Sequence, residues 1–143
     1  MYVLDTNVLS EFRKATSGRA DARVTQWANS VQPDDLYLSV MTIMELEKGT
    51  LLLQRRDPAQ SAILRGWMDG YVLPAFKSRI FAVTTAVAQV CARLHVPDPR
   101  PDRDALIGAT ALVHRMTVVT RNVADFAPMG IPVLNPWDPL PAS

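Results

Sequence analysis

With 143 residues, 48% of them apolar and 20% charged, the chain is long enough for one domain with a real core and too apolar to be disordered. No apolar run reaches the roughly 18 residues of a membrane span, the opening Met-Tyr-Val-Leu-Asp lacks the basic start of a signal peptide, and a single cysteine, Cys91, excludes an intrachain disulfide. A cytoplasmic protein without a membrane role is therefore expected. The net charge of +1 argues against a purely electrostatic DNA binder, yet twelve of the fifteen basic residues are Arg, whose planar fork suits phosphate. GC-rich codon usage produces the same bias, so composition permits RNA without demanding it.

In chain order, Tyr2-Val3-Leu4 reads as a short strand ended by Asp5-Thr6-Asn7, with a helical pattern from about Val8 to Lys14. A loop near Ser17-Gly18 leads to an amphipathic stretch, Ala20 to Ser30. Pro33-Asp34-Asp35 is a turn, Leu36-Tyr37-Leu38 a strand, and Ser39 caps a helix over Val40–Leu53. Asp57-Pro58 opens a helix that should stop at about Leu73, before Pro74. Arg79–Val83 is strand-like and Thr84–Leu94 helical. Pro97, Pro99 and Pro101 predict a stiff, extended connector. Asp102 or Asp104 should cap a helix reaching about His114. Thr117–Thr120 is a strand, Val123–Ala127 a short helix, Ile131–Leu134 a last strand, and the Pro-rich tail from about Pro136 looks irregular. Short strands alternating with helices predict one α/β domain over residues 1–143, a three-layer α/β/α sandwich around a mainly parallel sheet.

Ligands bind beyond the carboxyl ends of strands in such sheets. Asp5 stands at one such end, Thr120, Asn122 and Asp125 at another, Asp104 opens a helix, and Glu45 lies two turns into a third. Each has a plainer use: Asp5, Thr6 and Asn7 as helix caps, Asn122 and Asp125 as turn formers. Glu is scarce (Glu11, Glu45 and Glu47), and at about 100° per residue Glu45 and Glu47 project about 200° apart, so they cannot share a site. Periodicity does not choose between them. Several carboxylates gathered at one sheet end would repel unless a cation sat among them. Oxygen donors without His or Cys select hard ions, Mg²⁺ or Mn²⁺, which suit phosphodiester hydrolysis. His95 and His114 lack partners at metal spacing, and no Gly-x-Ser-x-Gly elbow or phosphate-cradling glycine loop occurs. Cys91 reads as core filler.

Four segments then resemble one family. Tyr2-Val3-Leu4-Asp5-Thr6-Asn7-Val8-Leu9-Ser10 is similar to the opening of bacterial PIN-domain proteins, particularly the VapC and FitB toxins. Ser39–Gly49 is similar to their second motif, which selects Glu45. Pro101-Asp102-Arg103-Asp104-Ala105-Leu106-Ile107-Gly108-Ala109-Thr110-Ala111 is similar to the third, with Gly108 where Ala is common, and Val118–Phe126 to the fourth. Asn135-Pro136-Trp137-Asp138 resembles the tail of the FitB branch. The likeness runs from the first strand to the last.

That resemblance implies metal-dependent cleavage of single-stranded or looped RNA by a toxin of a toxin–antitoxin pair. Asp5 and Asp104 would be the primary Mg²⁺ ligands, with Mn²⁺ as an alternative, and Glu45 would bind a second ion or orient the attacking water. Asn122 or Asp125 would position a water, with Thr6, Asn7 and Thr120 in support. Arg13, Lys14, Arg103 and Arg121 lie beside motifs and are candidate RNA contacts at the groove's rim. The family also implies homodimers, and a small antitoxin, bound as a heterotetramer or larger, whose C-terminal segment fills the acidic groove, where its Arg could displace metal. Two competing classes are a catalytically inactive PIN scaffold binding RNA or protein, and a receiver-like phosphoacceptor. The second wants a Lys late in the chain, whereas the last here is Lys77.

Overall fold

Strands β1 (Tyr2–Leu4), β2 (Leu36–Ser39), β3 (Ile80–Phe81), β4 (Thr117–Val119) and β5 (Val133–Leu134) pair in parallel, in the order β3-β2-β1-β4-β5, in the computed structural model, which describes residues 1–139. Val3 lies opposite Tyr37 on one side and Val118 on the other, so β1 is central. Helices flank both faces: α1 (Thr6–Arg13), α2 (Ala22–Ser30), α3 (Val40–Gln54), α4 (Pro58–Trp67) and α5 (Leu73–Ala75), then α6 (Thr85–Leu94), α7 (Asp102–His114) and α8 (Val123–Phe126). The expected parallel three-layer α/β arrangement is what the chain adopts. Among the described residues no helix is long and apolar enough to cross a membrane.

Alternation along the strands divides the core and orients the site. Tyr2, Leu4, Leu36, Leu38 and Val119 pack with Val8, Leu9, Trp27 and Leu46 on one face. Val3 and Val118 pack with Ile107, Phe126 and Ile131 on the other. Because side chains alternate, continuing β1 and β4 by two residues from Val3 and Val118 carries Asp5 and Thr120 to the α7 face. Behind it, Ala105 and Ala109 of α7 meet Val87 and Cys91 of α6, small residues that let the helices approach closely.

Several boundaries differ from expectation, each for a local reason. Helix α1 begins at Thr6 because Asp5 caps it, Oδ1 accepting from the Thr6 N–H at 2.7 Å. The chain does not stop before Pro74: a π turn, Met68–Val72, runs into α5, where Pro74 sits in the first turn and its missing N–H is not needed. The proline connector is bent rather than extended. Its Val96–Pro97 peptide is cis, and Arg100 folds back, Nε donating to the Leu94 carbonyl at 2.6 Å and its N–H to His95 Nδ1 at 3.2 Å. Neither Asp102 nor Asp104 caps α7; the cap position is Pro101, and both acids lie within the first turn, engaged elsewhere. Strands β3 and β5 are shorter than expected. The expected irregular tail is turned over Asn135–Trp137 and pinned: Asn135 Oδ1 accepts from the Trp137 N–H at 3.0 Å, and Trp137 packs on the core. Its remainder, residues 140–143, lies outside the described residues.

Candidate metal and phosphodiester site

Asp5 is completely buried at the end of β1, and both its oxygens are occupied. Oδ1 caps α1 and accepts from Arg103 Nη2. Oδ2 accepts from the Thr120 hydroxyl at 2.8 Å and from Asn7 Nδ2 at 3.4 Å. Thr120 in turn accepts from the Asn122 N–H at 3.0 Å, and Asn7 Oδ1 from the Arg121 N–H at 3.4 Å. The turn after β4 is thus tied to the turn after β1.

Two more acids face the same point. Asp104, buried in the first turn of α7, accepts from Arg103 Nη1 through Oδ1. Glu45, on α3, accepts from Arg103 Nε and, at 2.8 Å, from the Thr6 hydroxyl, which also lies 3.2 Å from the buried Thr42 Oγ1. Three carboxylates from β1, α3 and α7 therefore surround one guanidinium, and each of its nitrogens goes to a different acid. Glu47 points elsewhere, pairing with Arg65 at 2.6 Å. Asp125 is exposed, but close enough to Asp104 for its charge to be felt. Asn122 is exposed at the start of α8.

Burial pushes the Asp104 carboxyl above its usual range. Arg103 pulls it the other way, and Asp125 and Asp5 add repulsion. Burial also works against the Arg103 charge, but Asp5, Glu45 and Asp104 outweigh it and raise the guanidinium above its ordinary value. The pocket is strongly anionic and demands a cation.

The candidate RNA contacts separate. Arg103 is not at the rim; three buried or half-buried acids draw it inside. Arg13 lies over the Trp67 ring at 5.9 Å, Lys14 pairs with Glu11 at 3.0 Å, and Arg121 lies over Trp137 at 5.0 Å. Of these, only Arg121 neighbours the site, through its N–H on Asn7. Sequence reasoning missed Thr42. Its place one turn before Glu45 on the same helix was the available signal.

Among the described residues, no three acids already stand as a ready ion cage, since Arg103 is seated between them. The donor set nevertheless fits a hard divalent ion. It is all oxygen, it converges on one point, and a cation is stabilised there.

The sequence profile of the PIN domain matches residues 2–127. The chain belongs to the PIN domain family. Within that family it is 34% identical over 144 residues to VapC ribonuclease Y4jK of Sinorhizobium fredii, covering 97% of this chain and 99% of that protein. It is 32% identical to Toxin FitB of Neisseria gonorrhoeae, covering 96% and 99%. The solved structure of FitAB bound to an IR36 DNA fragment superposes with a TM-score of 0.88 at 32% identity, over the whole of both chains. The likeness to PIN-domain toxins seen in the four motifs thus extends to the fold.

Proposed function

We propose that this PIN domain is a Mg²⁺-dependent endoribonuclease, with Mn²⁺ as an alternative ion, acting in the cytoplasm as the toxin of a toxin–antitoxin pair. The observation that carries this reading is the convergence of Asp5, Glu45 and Asp104 on one cation-binding point. The names of its relatives, a VapC ribonuclease and a FitB toxin, support the reaction class and the setting.

Asp5 and Asp104 would hold the ion, and Glu45 would hold a second or take the proton of the attacking water. Thr120 and Asn7 fix the Asp5 carboxylate and Thr6 fixes Glu45, so these two acids are held in orientation from outside the ion's position. A bound divalent ion supplies charge neutralisation at the phosphate and a more acidic attacking water. Asp125, exposed near Asp104, and Asn122, exposed where its N–H meets Thr120, would orient the phosphodiester or its water, and Arg121 would meet the neighbouring phosphate. A pocket that accepts a guanidinium also suits an antitoxin arginine, which supports a small antitoxin partner around a toxin homodimer.

The test is cleavage of total RNA by antitoxin-free protein. Cleavage that needs Mg²⁺ or Mn²⁺, stops with chelator and is abolished in D5N and D104N is expected. Full activity in both variants, or cleavage indifferent to chelation, would refute the reading.

A further inference from the structure

The guanidinium of Arg103 stands where the proposed ion would have to stand. Its Nη2, Nε and Nη1 go to Asp5 Oδ1, Glu45 Oε1 and Asp104 Oδ1, one nitrogen to each of three acids carried by three different elements. The side chain arises within the chain, one residue before Asp104, so no partner is needed to deliver it. Asp5 leaves little choice: its Oδ2 already accepts from Thr120 and Asn7, and its Oδ1 accepts from the Thr6 N–H and Arg103. Of these four donors, Arg103 alone is a cation on a long side chain, and it keeps 28% of that side chain exposed. An ion reaching Asp5 must take the place of that guanidinium.

We infer that Arg103 is a built-in counter-ion that closes the metal pocket, and that metal loading is an exchange in which a divalent ion expels the Arg103 side chain. The inference rests on the metal-dependent reading above. Without the ion, the arginine satisfies acids that would otherwise repel one another in a buried site, and the fold stands without metal. With the ion, a guanidinium cannot remain bonded to the same oxygens. The two cations carry like charge and compete for one set of donors. Metal affinity is therefore set by the difference between binding the ion and breaking three charge-assisted hydrogen bonds, so the domain loads only when the free ion is abundant. Glu45 Oε2 and Asp104 Oδ2, which carry no protein hydrogen bond among the described residues, are the oxygens an incoming ion meets first.

The experiment is a Mn²⁺ titration of the full chain, wild type against R103Q, followed by the paramagnetic signal of free Mn²⁺. Alongside it, the Arg103 side-chain Nε–H resonance, assigned by its loss in R103Q, is followed in wild type as Mg²⁺ is added. R103Q should bind Mn²⁺ at least tenfold more tightly. The wild-type resonance should move from its deshielded, downfield position, set by the bond to Glu45, to that of a free arginine as the site fills. Equal or weaker Mn²⁺ binding by R103Q, or a resonance unmoved at saturation, would overturn the exchange while leaving the metal site standing. No uptake by either protein overturns the exchange and the metal-dependent reading together. If R103Q does not fold, R103K, whose point-charge ammonium lacks the planar fork that presents one nitrogen to each acid, takes its place in both the titration and the assignment, with the same outcomes.

Discussion

Thr120 holds Asp5 from the far side of the pocket: its hydroxyl donates to Asp5 Oδ2 at 2.8 Å, across 115 positions of sequence, and both residues are fully buried. The bond joins the ends of two neighbouring parallel strands, and the same oxygen of Thr120 accepts the Asn122 N–H. One hydroxyl therefore fixes the orientation of the deepest acid and the start of α8.

Replacing Thr120 by Val keeps the shape but removes both roles, leaving a buried carboxylate oxygen and a backbone N–H short of a partner. The expected loss is about 1–3 kcal/mol of stability, together with a tenfold or greater fall in metal-dependent cleavage. T120S, which keeps the hydroxyl, should recover most of both. Urea unfolding of the three proteins checks this; a T120V protein as stable as wild type would refute it.

Thr6 plays the corresponding part for Glu45 from the first turn of α1. T6V should leave the fold intact, because Thr6 is only half-buried, yet lower cleavage about 10–100-fold, the range usual for losing a partner of a metal-site ligand. The loss should fall on kcat and on metal affinity rather than on melting temperature. An unchanged rate in T6V would remove Thr6 from the site.

Much of this was legible beforehand, and the illegible parts share physical causes. Alternation along β1 and β4 is local, so the strand-end positions of Asp5 and Thr120 could be read directly. The choice between Glu45 and Glu47 could not be read from periodicity, because apolar residues surround α3: Met44, Leu51 and Leu52 remain 53%, 51% and 57% exposed. The capping expectation failed at α7 because other side chains hold both acids. Asp102 pairs with His95 at 3.2 Å, and Asp104 turns to Arg103. The place of Arg103 was hidden for the same reason. A positive charge beside a motif looks like a substrate contact until three distant acids are seen to converge on it.

The raised Asp104 carboxyl has a stability consequence of definite sign. Above the unfolded value of 3.8, the folded protein holds the Asp104 proton more tightly than the unfolded chain does. Stability therefore falls as pH rises through that window, and this part of it is fully present only below 3.8. In the metal-free state D104N removes this slope. It should melt higher than wild type at neutral pH, with the gap closing as pH falls. Thermal melts of both proteins in chelator across pH 4–8 test this, and a D104N protein that melts lower at pH 7 would show that the Arg103 pairing outweighs burial.

Gly108 supplies a test of packing behind the site. It is buried in α7, and a methyl group built on it would lie 2.5 Å from Met129 Sδ, with Ile131 Cδ1 at 3.6 Å and Leu94 Cδ1 at 3.8 Å. Alanine is favoured over glycine in a helix by about 1 kcal/mol, but forcing a methyl into a filled space costs about 1–3 kcal/mol. Met129 is itself buried, so it cannot simply swing into solvent. G108A alone should therefore destabilise the domain by about 1 kcal/mol. In an M129V background, where the sulfur is gone, the same change should become neutral or stabilising as the helix preference takes over. The difference between the two backgrounds is a coupling energy of about 1–2 kcal/mol, readable from urea midpoints in a double-mutant cycle. Additive effects would mean that Met129 yields without cost, and that Gly108 is not there to make room for it.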